Sequence, residues 1–164
     1  MTVRRSAARL AELEAIYRRG YPAFLRVAVG IVGDVELAAD AVHDGFVGAV
    51  RGRDRYRGEG TLEAWVWRAV VNASKRRREI RLRNAFEPLE ADVVGADGPA
   101  LADPVREVIA RLPERQRLVL FLRYFADLDY RTIAEIAGVE PGTVGATLHT
   151  AREAIRLTLE EAQT

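Results

Sequence analysis

A stretch that no helix can cross divides this chain. Residues 84–104, NAFEPLEADVVGADGPALADP, hold Pro88, Pro99, Pro104, Gly95 and Gly98, with five carboxylates and not one base. Proline removes a backbone donor, glycine disfavours helix, and like charges repel, so the stretch reads as an extended linker. On either side, apolar residues recur at the three-and-four spacing of amphipathic helices, and strand-like alternation is absent. The expected fold is therefore all-α. It comprises two small helical domains, 1–83 and 105–164, joined by a flexible acidic linker. A length of 164 residues is enough for both.

The net charge of +1 conceals a division that follows the same boundaries. Residues 1–83 carry 17 bases against 10 acids, residues 84–104 five acids alone, and residues 105–164 eight bases against nine acids. The excess of base belongs to the first domain, which points to a polyanionic partner there. Other classes fall away. The chain has no Cys and only two His, His43 and His149, so thiolate chemistry is excluded and a histidine-based zinc site would need carboxylate help. GEGT at 58–61 lacks the Lys-Ser/Thr ending of a phosphate loop. No nucleophile stands with a base, so no catalytic residue, metal or cofactor is expected. No stretch approaches the ~20 apolar residues of a membrane span and the N-terminus lacks a signal-like apolar core, so no membrane insertion and a cytoplasmic location are expected.

The first domain reads as four helices, near 7–18, 22–32, 35–50 and 62–83, with Asp34 and Thr61 as N-caps of the last two. RGRDRYRGEG (51–60) has three glycines and no apolar period, so it reads as a loop. In the long helix after it, Leu62, Trp65, Val66, Ala69, Val70 and Ala73 form an apolar stripe. A basic run follows: Lys75, Arg76, Arg77, Arg78, Arg81 and Arg83. Such a run neutralises phosphates and gains from counterion release. The loop adds Arg51, Arg53, Arg55, Arg57 and the ring of Tyr56, a pairing suited to unstacked bases. Trp65 falls in the stripe and is assigned to the core. Trp67 points away from it and is a candidate contact.

The second domain opens with a helix at Pro104, places Pro113 in the first turn of the next, and turns at Asp127 and Asp129. YRTIAEIAGVEPGTVGATLHTAREAIR then has the layout of a helix-turn-helix. Ala134 lets two helices approach, Gly138 permits a left-handed turn, and Ile133, Val139, Val144 and Leu148 supply apolar groups. A plain helical hairpin would need little more. In the DNA-reading form the second helix presents its N-terminal residues to base edges in the major groove.

Together these segments resemble the bacterial RNA polymerase sigma factors of the extracytoplasmic-function (ECF) group, over about 17–83 and 105–158. The stretches that carry the resemblance are YPAFLRVAVGIVGDVELAADAVHDGFVGAV, DRYRGEGTLEAWVWRAVVNASKRRRE and LPERQRLVLFLRYFADLDYRTIAEIAGVEPGTVGATLHTARE, in that order. The resemblance implies a region 2-like first domain that docks on core RNA polymerase and melts the minus-ten element, and a region 4-like second domain that reads the minus-thirty-five element. The helix around Glu36, Asp40, Val42, Asp44 and Phe46, with His43 and Val47, would dock on polymerase. Arg55, Tyr56, Arg57, Trp67, Asn72, Lys75, Arg76 and Arg77 would hold and melt the minus-ten DNA, Asn72 reading a base edge. Thr143, Gly145, Ala146, Thr147, His149 and Arg152 would lie at the upstream element. Core RNA polymerase, promoter DNA and an anti-sigma protein are the implied partners.

Two departures stand out. Where the family's reading helix usually carries bases after its Thr-Val pair, this chain has Gly145-Ala146-Thr147, and Thr150 stands at a further usual base. Only His149, Arg152 and Arg156 can supply positive charge there, opposed by Glu153, so upstream recognition is expected to be weak. The docking helix has Gly45 and Gly48 where bulkier groups are usual, each costing about 1 kcal/mol of helix propensity against Ala. The alternatives are a conventional helix-turn-helix regulator and a sigma-derived interaction module with weakened DNA reading.

Overall fold

A computed structural model describes residues 2–84 and 103–163, in which every regular element is helical. The helices are α1 (Thr2–Val32), α2 (Val35–Gly52), α3 (Leu62–Asn84), α4 (Asp103–Arg111), α5 (Glu114–Tyr124), α6 (Tyr130–Ala137) and α7 (Pro141–Glu161). A single 3-10 turn, Arg53–Arg55, follows α2. Apart from its two ends, the acidic linker of the sequence reading lies outside the described residues.

The first helix corrects the expectation of two. It runs unbroken through Pro22. Proline in a helix interior forfeits one hydrogen bond and is normally disruptive. Here Pro22 is on the exposed face, so solvent can satisfy the carbonyl that loses its donor, while Leu13, Ile16, Phe24, Val27 and Ala28 stay buried on the other. The cap assignments agree with the structure. Asp34 accepts from Leu37 N–H at 2.8 Å, and Thr61 Oγ1 accepts from Ala64 N–H at 3.1 Å. Pro113 is the N-cap of α5 rather than in its first turn, and Pro141 begins α7 two residues before the expected start.

In the first domain α3 is wrapped by α1 and α2. The α2 face it meets is made of small groups: Ala38, Ala41, Gly45 and Ala49, all buried. A Cβ at Gly45 would come within 2.7 Å of Val70 Cα, so only glycine lets the two backbones lie this close. The helix-propensity cost at Gly45 is thus offset by packing. A Cβ at Gly48 would meet nothing within 4 Å, and there the cost stands. Phe24 joins the layers, with Trp67 4.2 Å and Phe46 5.1 Å away between ring centroids.

In the second domain α4 to α7 enclose Val119, Leu122, Ile133, Val144, Leu148 and Ala151, all buried. Gly138 adopts the left-handed conformation (φ 69°, ψ 39°) that the helix-turn-helix reading allowed for at this position. Asp127, at φ 50°, is a second left-handed residue, tolerated because a short carboxylate side chain is among the least penalised there.

The two domains touch. Phe121 of α5 packs against α1 at Gly30, where a Cβ would sit 2.8 Å from its ring. Arg26 Nε donates to the Phe125 carbonyl at 2.9 Å. Lys75 meets Glu114 at 3.3 Å, and the Glu135 carboxylate accepts from Thr61 N–H at 3.4 Å, at the start of α3. One repulsion offsets these contacts. Arg117 is half-buried, and burial together with nearby Arg78 lowers the pKa of its guanidinium.

Candidate nucleic-acid interface

Helix α3 buries Leu62, Ala64, Val66, Trp67, Val70, Val71, Ala73 and Ser74, a band wider than one stripe because helices cover it on two sides. Glu79, Ile80, Leu82 and Arg83 are exposed near its end, and before them stands a row at four-residue intervals: Arg68, Asn72 and Arg76, all exposed. Among the described residues, none of the three makes a side-chain hydrogen bond or ion pair. This row can present two guanidinium groups and one amide to a single nucleic-acid strand. Arg68 was missed in the sequence, although its spacing from Asn72 and Arg76 was readable once those two were chosen.

Much of the remaining basic run has other work. Arg77 donates through Nε (3.1 Å) and a terminal nitrogen (2.6 Å) to Asp44, with Asp40 at 3.8 Å, and the Asp44 hydrogen bond raises its pKa. The sequence reading had put Arg77 on DNA and Asp40 and Asp44 on polymerase; the structure pairs them with one another. Arg81 donates to the Val32 carbonyl at 2.7 Å, capping the end of α1. Lys75 faces Glu114 across the domain boundary.

The aromatic assignments require a correction. Trp67 is 1% exposed and packs on Phe24, so it is a core residue and cannot touch a base. Trp65 is the indole at the rim, 5.8 Å from the ring of Tyr56. Periodicity chose between them wrongly because α3 is covered on two faces. Tyr56 is itself half-buried, and its hydroxyl donates to the Gly60 carbonyl at 2.7 Å. Its neighbours Arg55 and Arg57 are exposed.

On α2, Glu36, Asp40, His43, Asp44 and Val47 recur at three and four residues and share one side of the helix. His43 and Val47 also line an apolar groove between α1 and α2, with Leu10, Tyr17, Phe46 and Val50.

On α7, Thr143, Ala146 and His149 are exposed, whereas Val144 and Leu148 are buried. Gly145 is half-buried, and a Cβ there would make ordinary contact with the Tyr130 ring at 3.5 Å. Thr147 is half-buried. Arg152 Nε donates to Tyr124 Oη at 2.6 Å, and Arg156 is held by Glu153 and Glu160. The reading face itself therefore offers hydroxyls, a methyl group and one imidazole.

The order of these parts matches known families. The sigma-70 region 2 family covers residues 16–83, and the sigma-70 region 4 family covers residues 102–155. The sigma-H factor of Pseudomonas aeruginosa is 30% identical over 157 residues, spanning 83% of this chain and 80% of that protein. The ECF sigma-E factor of Escherichia coli is 31% identical over 141 residues, 75% of this chain and 72% of that one. This chain belongs to the ECF sigma factors. The fold is shared with CnrH, solved in complex with the cytosolic domain of CnrY (TM-score 0.71, 18% identity, 97% of this chain and 94% of that one). It is shared also with RpoE of Bartonella quintana, solved with the anti-sigma factor NepR (TM-score 0.67, 19% identity, 91% and 97%). As a sigma factor the chain is a factor of transcription initiation, and its relatives are not enzymes. No described helix is long and apolar enough to cross a membrane.

Proposed function

We propose that this sigma factor binds core RNA polymerase, directs it to promoters, and opens the minus-ten element with residues 1–83. The observation that carries this reading is the exposed Arg68–Asn72–Arg76 row on the domain matched to region 2, with Arg55 and Arg57 exposed on the loop that leads into the same helix. The arginines hold phosphates and the Asn72 amide reads a base edge. The α2 face of Glu36, Asp40, His43 and Val47 docks on polymerase. Residues 105–164 lie at the minus-thirty-five element, with Thr143, Ala146 and His149 nearest the groove. Promoter choice rests mainly on the first domain, because α7 has so little free positive charge. An anti-sigma protein is a further partner, as in the complex of RpoE with the anti-sigma factor NepR.

The domain contact adds a requirement. Two elements about 25 base pairs apart lie roughly 85 Å apart along B-DNA. A compact chain of this length has a radius of gyration of about 15 Å. Phe121 must therefore leave Gly30 before both elements are read together. A fluorophore pair placed on α1 and α7 should lose energy transfer on addition of core polymerase and promoter.

Run-off transcription with purified core polymerase and a pool of promoter fragments tests the reading. Discrete new start sites that depend on the protein are the expected result. Binding to core without transcripts would favour the interaction module, and duplex binding without core would favour a conventional regulator.

A further inference from the structure

The first fifteen residues lie outside the region 2 match, which begins at residue 16. They are not idle. The first turns of α1 reach the loop that follows α2 and grip it at three points. Arg9 donates to the Arg53 carbonyl at 2.5 Å. Arg53 Nε donates to Ser6 Oγ at 3.0 Å, while its terminal nitrogen donates to the Val50 carbonyl at 2.7 Å. The Arg9 guanidinium also lies 5.3 Å from the centroid of the Tyr56 ring. The Arg53 carbonyl that Arg9 holds is the same one that accepts from Tyr56 N–H and closes the 3-10 turn.

The loop needs such a grip. It contains Gly58 and Gly60, both at positive φ, and little of it is buried. A glycine-rich segment without a core of its own loses much conformational entropy on ordering. The Tyr56 hydroxyl bond to Gly60 and the Trp65 ring fix the far end. Arg9 fixes the near end and the ring face, so Tyr56 becomes the pivot about which Arg55 and Arg57 are turned outward. Arginine suits position 9 because its rigid, five-donor guanidinium can bond the carbonyl and still sit near the ring, with less freedom to lose than a flexible lysine ammonium.

We infer that Arg9, seconded by Ser6, is a positioning residue for promoter opening, holding the 51–60 loop in the shape that delivers Arg55 and Arg57 to the melted strand. This rests on the assignment of that loop to minus-ten melting. It does not touch DNA itself, and its effect passes through the Arg53 carbonyl and the Tyr56 ring.

The test uses the full-length protein and two readouts. Hydrogen exchange on the free protein reports the grip: in Arg9→Ala the Tyr56 amide should lose protection while α2 and α3 keep theirs. Promoter opening with core polymerase, followed by permanganate reactivity of unpaired thymines, reports the function. Arg9→Ala should open a duplex promoter about tenfold more slowly, the size of one misplaced strand contact. On a template already mismatched over the minus-ten region it should initiate within about twofold of the parent, since the step it assists has been bypassed. Arg9→Lys should fall between, and Ser6→Ala should give a smaller loss of the same kind. A general loss of structure would lower both templates and core binding alike, and that result overturns the proposal. So does unchanged exchange at Tyr56, or loosened exchange with normal opening. If the unmodified protein binds core yet opens no promoter while Arg9→Ala still loosens Tyr56, the grip is real, its role in melting is overturned, and the fault lies with the melting assignment itself.

Discussion

Helices α3 and α7 both face nucleic acid in the proposed function, yet they are built on opposite terms. Along α3, Arg68 and Arg76 stand clear with Asn72 between them. Along α7 the two arginines are tied to Tyr124, Glu153 and Glu160, and the reading turn has no cation. The lesson is that the number of bases in a segment is a poor measure of its affinity for DNA. Counterion release is gained only by charges that are not already neutralised within the fold. By that standard three residues of the α3 run, Lys75, Arg77 and Arg81, contribute less than their sequence suggests, and Arg68, outside the run, contributes more.

The sharpest way to break this comparison is to remove the free cations. With a slope of about 0.7–0.9 per phosphate contact, losing two at 0.15 M salt weakens binding by roughly tenfold to thirtyfold. Arg68→Ala/Arg76→Ala should therefore lower promoter affinity of the polymerase complex by that factor and flatten its salt dependence, measured by filter binding across a salt series. An unchanged slope would sink the assignment. Next in size is the support beneath the row. Gly45→Ala forces the α2 and α3 backbones apart and should destabilise the protein by about 1–3 kcal/mol. Gly48→Ala, three residues along the same helix, should stabilise it by about 0.5–1 kcal/mol. Thermal unfolding of the pair gives opposite signs if the close approach at Val70 is real.

The second domain provides a smaller effect. Asp129 caps α6 by accepting from Thr132 N–H at 2.7 Å, and that bond holds its carboxyl below the usual range. Asp129→Ala should cost about 1 kcal/mol. Because the folded-state pKa is depressed, the stabilisation is complete above the ordinary Asp value of about 3.9 and is lost as pH falls through the folded value. The difference between parent and variant should thus be constant at neutral pH and shrink in acid. Smallest of all, His149→Ala should change promoter affinity by less than about threefold, the worth of one weak exposed contact. A tenfold loss would restore α7 to equal standing with α3.

The helices, the caps at Asp34 and Thr61 and the turn at Gly138 were legible because each depends on a few neighbouring residues. The continuity of α1 was not. Whether Pro22 breaks a helix depends on whether its side of the helix faces water, which only the tertiary structure decides. The Trp65–Trp67 exchange has a similar cause: on a helix covered from two directions, 3.6-residue periodicity no longer singles out one face. The candidate site was legible in part. Asn72 and Arg76 are exposed, as a contact role needs, but Arg77–Asp44, Arg81–Val32 and Arg9–Arg53 join residues 33 to 49 positions apart, and such pairings leave no local signature.

The meeting of Gly45 and Val70 has a mechanical meaning. With no side chain between the two backbones, no soft layer separates the edge of α2 from the row on α3. Whatever takes hold of α2 fixes the height and tilt of Arg68, Asn72 and Arg76 in the same act. The pair works as a gauge block, carrying the position of one partner across to the other with almost no slack.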